Sequence, residues 1–351
     1  MNYKNIPVAD CHIHTFWNFS LSEKENLLLS LMEKFNYESV TILPIPFNAH
    51  RKSRSRDFTE NLVGFYFKSK YPDKIFSFAG LSPSYDESKN TPEFFLEQAK
   101  FYMEAGFDGI KMIEGRPNQL HVCGRYKDPK YDLVFKYAEE EQIPLTVHTS
   151  GPERMWKEGG SKFGQKPDWM DYYTEMDEIL SKYPKLRINL AHLFFASERI
   201  NLAAEFLDKY ENVYYDICPN QFMYLDFQKK PDEWKEFFIK YQDRLMYGTD
   251  IGATTTDFEG KEAESLVYMV RGFFEEDKPY TSLGYDFTPI PLDDSILKKI
   301  YRDNMFKFYK REKPLKANPE VMRKELEFVK KLKVFLNLQD VKNLELIESV
   351  F

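Results

Sequence analysis

Val8-Ala9-Asp10-Cys11-His12-Ile13-His14 is a short apolar run that ends in an HxH pair. Side chains along a β-strand alternate between its two faces. His12 and His14 therefore leave the strand on the same side, close enough to hold one metal ion. Three later runs repeat the design: Pro144-Leu145-Thr146-Val147-His148, Ile188-Asn189-Leu190-Ala191-His192 and Leu245-Met246-Tyr247-Gly248-Thr249-Asp250. Each is brief, apolar and closed by one polar residue.

These runs belong to a longer series. Strands are expected at 7–14, 39–45, 75–81, 108–113, 144–149, 186–192, 212–218 and 244–250. Amphipathic stretches separate them. Ser22-Glu23-Lys24-Glu25 reads as a capping box that opens a helix through about residue 36. Thr91-Pro92 supplies an N-cap followed by proline, and Gly106 stands where a helix C-terminus favours glycine. Further helices are expected at 128–142, 168–182, 197–210 and 231–242. Strands alternating with helices make parallel βαβ units, and eight of them predict a closed (β/α)8 TIM barrel. An open doubly wound sheet is the rival. It would not gather the polar ends of strands 1, 5, 6 and 8, and no glycine-rich phosphate loop follows strand 1. Residues 252–290 show aromatics, prolines and a short helical pattern, with no ninth strand expected. Ile290-Pro291 is read as the start of the barrel's last helix. The expected division is a barrel over 1–312 and a helical C-terminal extension over 313–351 packed on it.

Composition narrows the class. The 351 residues are 42% hydrophobic and 17% aromatic, which marks a globular chain. A net charge of −7 disfavours nucleic acid, whose phosphates call for an excess of Lys and Arg. No apolar run approaches the roughly 20 residues that span a bilayer. The first seven residues lack the apolar stretch of a signal peptide. Cys11, Cys123 and Cys218 are too few and too scattered for a disulfide framework or a cysteine zinc site. The expectation is a cytoplasmic protein with reduced thiols that acts on a small molecule, with a homodimer as the default assembly.

In a barrel the strand C-termini meet at one mouth, where catalytic groups collect. Two imidazoles from strand 1, a third from strand 5 and a carboxylate from strand 8 form a ligand set for one divalent metal. Zn²⁺ suits it best, with Mn²⁺ or Fe²⁺ as alternatives. Such a metal activates water for attack on an amide, ester or lactone carbonyl. Asp250 is placed to bind the metal and take the water's proton. His192 is placed to polarise the carbonyl or to pass a proton to the leaving group.

Asp10-Cys11-His12-Ile13-His14, followed in order by Val147-His148, Ala191-His192 and Gly248-Thr249-Asp250, resembles the amidohydrolase superfamily. The nearer likeness is to the amidohydrolase-related branch of metal-dependent hydrolases, lactonases and aromatic-acid decarboxylases. It spans roughly residues 7–310 and includes Ile300-Tyr301-Arg302-Asp303-Asn304-Met305-Phe306, similar to the family's closing helix. The resemblance implies a (β/α)8 barrel, His12, His14, His148 and Asp250 as metal ligands, and His192 as the catalytic histidine. It implies hydrolysis first, with non-oxidative decarboxylation of a small aromatic or enol carboxylate as the alternative. Lys111 falls at strand 4, where binuclear members carry a carboxylated lysine that bridges two metals; here a single metal is expected.

Substrate contacts are sought on loops at the mouth. His50-Arg51-Lys52-Ser53-Arg54-Ser55-Arg56 follows strand 2 and suits an anionic substrate, Arg51 and Arg54 above all. Arg116 and Lys111, near the end of strand 4, are the other candidates. His50 and His121 lie in polar loops. Trp17 and Phe19 are expected as pocket walls, and Asp10 as a support for a ligand histidine. Residues 150–168 and 252–290 are candidate lids. Cys218 ends strand 7 with no base beside it in the sequence pattern, which argues against a nucleophile.

Overall fold

A computed structural model describes residues 3–16, 19–46, 58–84, 86–113, 115, 123–152, 169–219, 222–252, 260–332, 334 and 336–351. Eight parallel strands follow one another in chain order: β1 Val8–Ile13, β2 Tyr37–Ile42, β3 Ile75–Gly80, β4 Gly109–Met112, β5 Leu145–Val147, β6 Ile188–Leu190, β7 Val213–Asp216 and β8 Leu245–Met246. Every neighbouring pair is parallel, and helices connect them. The last strand returns to the first: Tyr247 O accepts from Cys11 N at 3.0 Å, His12 O accepts from Asp250 N at 2.9 Å, and Ile251 O accepts from His14 N at 2.7 Å. This is the expected (β/α)8 TIM barrel. Its strands are short and buried, because each is covered by helices outside and by side chains inside.

The register of β1 against β2 shifts between Val8 and Ala9 and again between Asp10 and Ile13. The irregularity falls on the HxH segment, where it re-aims side chains at the barrel's rim. At the other end of the barrel, the helix Asn304–Tyr309 acts as a plug. Met305, Phe306, Phe308 and Tyr309 join Phe76, Phe78, Tyr214 and Met246 in one buried apolar cluster. Asn304 Nδ2 donates to Leu245 O at 2.7 Å and so ties the plug to β8.

The helix pattern departs from expectation in detail. Ser20, not Ser22, caps the first helix, Leu21–Lys34: its hydroxyl accepts from Glu23 N, and Glu23 Oε2 accepts from Ser20 N at 2.7 Å. The box lies two residues early because only Ser20 has an acid three residues on whose side chain reaches back. Thr91 caps Pro92–Glu104 as expected, and Gly106 (φ +87°) ends it. Helices Trp169–Lys182, Ile200–Lys209 and Pro231–Lys240 lie where the periodicity placed them.

Residues 252–290 hold more order than expected. A helix, Lys261–Glu275, is followed by an antiparallel pair, Tyr280–Ser282 with Tyr285–Phe287. This hairpin corrects the expectation of no further strand. Leu283 and Gly284 both take positive φ, as a two-residue hairpin turn requires, and strands of three residues leave too little alternation to recognise. The last barrel helix starts at Asp294 rather than at Ile290-Pro291, since Ile290 N and Leu292 N bond instead to Phe273 O and Phe274 O.

Beyond the plug, Leu315 N donates to Asp108 Oδ1 at 2.7 Å, and helices Pro319–Lys331 and Leu338–Ile347 follow. Asp108 also accepts from Lys68 Nζ at 2.6 Å and from Ser77 N at 2.9 Å, so a fully buried ion pair anchors the C-terminal segment to the start of β4. Among the described residues no helix is long and apolar enough to cross a membrane. Cys11, Cys123 and Cys218 are buried thiols in no disulfide.

Candidate metal centre

The ends of β1, β5, β6 and β8 bring five polar side chains together. The rings of His12 and His14 lie 5.1 Å apart, those of His12 and His192 5.0 Å, and those of His148 and His192 4.9 Å. Asp250 Oδ1 lies 2.9 Å from His14 Nε2 and 3.7 Å from His12 Nε2. Gly248 lets β8 come this close, for a Cβ there would stand 2.9 Å from His12 Cβ.

Hydrogen bonds at Nδ1 set the tautomers of three rings. His14 Nδ1 faces Leu43 O at 2.8 Å, and His192 Nδ1 faces Cys218 O at 3.1 Å. A carbonyl only accepts, so each Nδ1 carries a hydrogen. His12 Nδ1 donates to Asp216 Oδ2 at 2.9 Å. In its neutral form each ring then offers the lone pair of Nε2. His12 Nε2 is buried and makes no hydrogen bond, a costly state for a polar atom. The Asp250 carboxylate, which also only accepts, lies 3.7 Å away. Two acceptors this close suit a cation between them.

The donor set fits a metal on these grounds. One ligand atom from each of His12, His192, Cys218 and Asp250 lies within 4.8 Å of the others, and His14 Nε2 touches the same Asp250 oxygen. Imidazole nitrogen and carboxylate oxygen together suit a borderline divalent ion. The histidine–carboxylate pair His12–Asp216 is the arrangement that orients a ligand imidazole and raises its basicity.

Electrostatics agree. Burial, reinforced by the charge of Lys111, pushes His12 down to about 3, so at neutral pH its lone pair is unprotonated. Burial likewise lowers His192, against the carboxylates of Asp250 and Asp216. For Asp216 burial acts upward, but His12 and the His192 backbone N–H hold its carboxyl down at about 2. Asp250 too is held below the ordinary carboxylate range: burial opposes ionisation, and His14, His192 and His12 together more than offset it.

Backbone strain gathers at the same place. His192, Leu193, Phe194 and Phe195 all take φ between +52° and +57°, a left-handed turn built without glycine. Asp250 has φ +59°. Left-handed geometry costs an L-residue roughly 1–2 kcal/mol, and such strain concentrates where function needs it.

The sequence model of the family described as Amidohydrolase matches residues 9–311. The chain belongs to the amidohydrolase family. Solved structures share the fold. The 4-oxalomesaconate hydratase of Rhodopseudomonas palustris is similar at 14% identity with a TM-score of 0.52, covering 93% of this chain and 99% of its own. The dihydroorotase of Campylobacter jejuni is similar at 17% identity with a TM-score of 0.51, covering 86% of this chain and 83% of its own. No curated protein matches the sequence.

Within this amidohydrolase barrel the expected site residues fall into three groups. His12, His14, His192 and Asp250 converge, while His148 stands at their edge with its ring against those of His192 and Phe195, and Cys218, not expected as a ligand, lies within the same donor group. Lys111 is buried on β4 near it, its charge felt at both His12 and His192. Arg51, Arg54 and Arg116 lie outside the described residues, as do His50, His121, Trp17 and residues 153–168 of the candidate lid. Phe19 is buried against Phe16. Asp10 supports His12 through its backbone rather than its ring: Oδ1 accepts from His12 N at 2.9 Å and Oδ2 from Thr249 Oγ1 at 2.6 Å. Burial pushes Asp10 up to about 7.

The residue that sequence reasoning missed is Asp216. It accepts from His12 Nδ1, from His192 N at 2.7 Å and from Asn189 Nδ2 at 2.7 Å. A signal was present: Asp216 and Cys218 stand two apart at the end of an apolar strand, the spacing that singled out His12 and His14. Glu60 was missed as well. It is buried at the start of the helix Glu60–Lys70, accepts from the Thr15 hydroxyl, and ties the loop after β1 to the loop after β2.

Proposed function

We propose that this chain holds one divalent cation through His12, His14, His148 and Asp250, and hydrolyses an amide, ester or lactone bond of a small anionic substrate. The observation that carries the reading is the convergence of His12 Nε2, which has no hydrogen bond, and His14 Nε2 on one Asp250 oxygen. Zinc fits the donor set best, and manganese or iron(II) fit it as well. A cation bound there supplies Lewis acidity to water and to the substrate carbonyl.

The chain's own groups divide the proton work. The His192 Nδ1 bond to Cys218 O leaves Nε2 without a hydrogen, so His192 enters the reaction as a proton acceptor rather than as an electrophilic donor. Its Nε2 takes the proton of the water that adds to the carbonyl carbon. As the bond to the leaving group breaks, the same Nε2 returns that proton to the leaving atom. Asp250, ionised well below neutrality, is a weak base and serves coordination more than proton transfer. Asp216 is a positioning residue that fixes the His12 ring. Burial pushes the Cys218 thiol well up, so it stays protonated and is no nucleophile.

A second reading is non-oxidative decarboxylation at the same cluster. Lys111 favours it, since a buried ammonium beside the histidines suits a substrate carboxylate. Metal analysis of the purified protein and of a His12→Ala variant tests the common part: about one equivalent is expected in the first and depletion in the second. A screen of lactones, amides and aromatic carboxylates separates the reactions. Release of CO₂ without lactone, ester or amide cleavage would replace hydrolysis by decarboxylation.

A further inference from the structure

The polar strand ends face one mouth of the barrel. The opposite end carries a second concentration of charge, mainly positive. Arg187 precedes β6, Arg244 precedes β8, and Lys307 and Lys310 flank the end of the plug helix. All four line a cleft of about 530 Å³, with the Tyr214 ring as part of its wall. In a chain of net charge −7 this is an uneven distribution.

Arg187 is the unusual member. It is 4% exposed, yet among the described residues it pairs with no carboxylate. One of its terminal nitrogens donates to Phe308 O, while its Nε is buried and makes no hydrogen bond. Buried arginines are normally paired, since an isolated buried charge costs far more than a neutral polar group. Arg244 Nη1 is spent on Tyr210 O at 2.8 Å, and Lys310 Nζ reaches Gln142 Oε1 at 3.0 Å. None of the four cations forms an ion pair among the described residues. Two carboxylates, Asp208 and Glu211, also line the cleft, and Asp208 is engaged by Lys240 at 3.1 Å. The excess is two positive charges. Burial and the charge of Arg311 lower Arg187 to about 10, and Arg187 in turn adds to the lowering of Lys310; no carboxylate contributes at either.

We propose that this cleft is a second binding site, at the end of the barrel opposite the histidine cluster, and that it takes a small phosphate-bearing anion. A phosphate dianion matches the charge excess. Its oxygens can meet the guanidinium groups that precede β6 and β8 and the two ammonium groups at the end of the plug helix, where a planar carboxylate would satisfy fewer of them. The volume exceeds that of one phosphate and leaves room for the organic part of a monoester. Binding there would pair Arg187 and fasten the plug helix to the starts of β6 and β8.

Calorimetric titration of the metal-loaded full chain with inorganic phosphate, glycerol phosphate and citrate, at constant ionic strength, tests this. Saturable one-to-one binding of phosphate or of the monoester is expected. Tighter binding of the monoester would assign the free volume to an organic group, and tighter binding of phosphate would assign the site to the free ion. Lys307 and Lys310 are exposed, so the double variant Lys307→Glu/Lys310→Glu leaves the core untouched. It is expected to weaken binding by about tenfold or more with metal content unchanged. Absence of saturable binding, citrate binding as tightly as phosphate, or affinity unchanged in the double variant would overturn the proposal. Loss of phosphate binding in His12→Ala would also overturn it, by placing the anion at the histidine cluster.

Discussion

Asp216 Oδ2 lies 2.9 Å from His12 Nδ1, and the same carboxylate accepts the backbone N–H of His192. One buried acid on β7 thus orients one histidine through its ring and another through its main chain. Asp216→Ala is expected to weaken metal binding by about 10–100-fold, because the His12 ring loses the partner that fixes its tautomer. Competition against a chelator measures this. Unchanged affinity would remove Asp216 from the support of the site.

His192→Ala separates ligand from proton carrier. Metal content near that of the parent is expected, with turnover on any substrate found in the screen lowered by about 10²–10⁴-fold. Elemental analysis and a rate assay read the two quantities separately. Metal lost in step with activity would make His192 a ligand.

The Lys68–Asp108 pair is fully buried, and Asp108 also accepts from Leu315 N. Asp108→Ala strands an ammonium in the core and frees the C-terminal segment. Destabilisation of about 3–5 kcal/mol is expected by urea unfolding. Lys68→Met added to Asp108→Leu should recover much of that loss, since an apolar pair of similar volume removes the unpaired charge. No recovery would mean that the Leu315 contact, rather than the charge, dominates.

Glu325 makes stability depend on pH. Loss of hydration on the partly buried Glu325 pushes its carboxyl from 4.5 up to about 8, against the downward effect of its hydrogen bond with the Tyr102 hydroxyl. The folded state therefore holds a proton that the unfolded state releases above pH 4.5. This contribution is complete below about pH 4.5 and is lost as pH rises toward 8. Glu325→Gln should flatten the fall in Tm across that window and raise Tm at pH 8 relative to the parent. Parallel Tm curves for the two proteins would show that Glu325 titrates normally.

Much of the barrel was legible from local pattern. Runs such as 75–81 and 186–192 are apolar, short and bounded by helical periodicity, and a strand buried on both faces needs no more than that. The hairpin at Tyr280–Phe287 was not legible, because three-residue strands carry no measurable alternation. The capping box was displaced by two residues because both Ser20 and Ser22 precede acidic residues, and only side-chain reach decides between them.

The sequence by itself determined the barrel and the five polar strand ends, since strand order and side-chain alternation follow from the spacing of apolar residues. Only the tertiary structure decided which nitrogen each histidine presents, because Leu43, Asp216 and Cys218 come from other strands and meet the rings through folding alone. The same holds for the cationic cleft. Arg187 and Lys310 are 123 positions apart, and nothing local in the chain records that the plug helix brings them together.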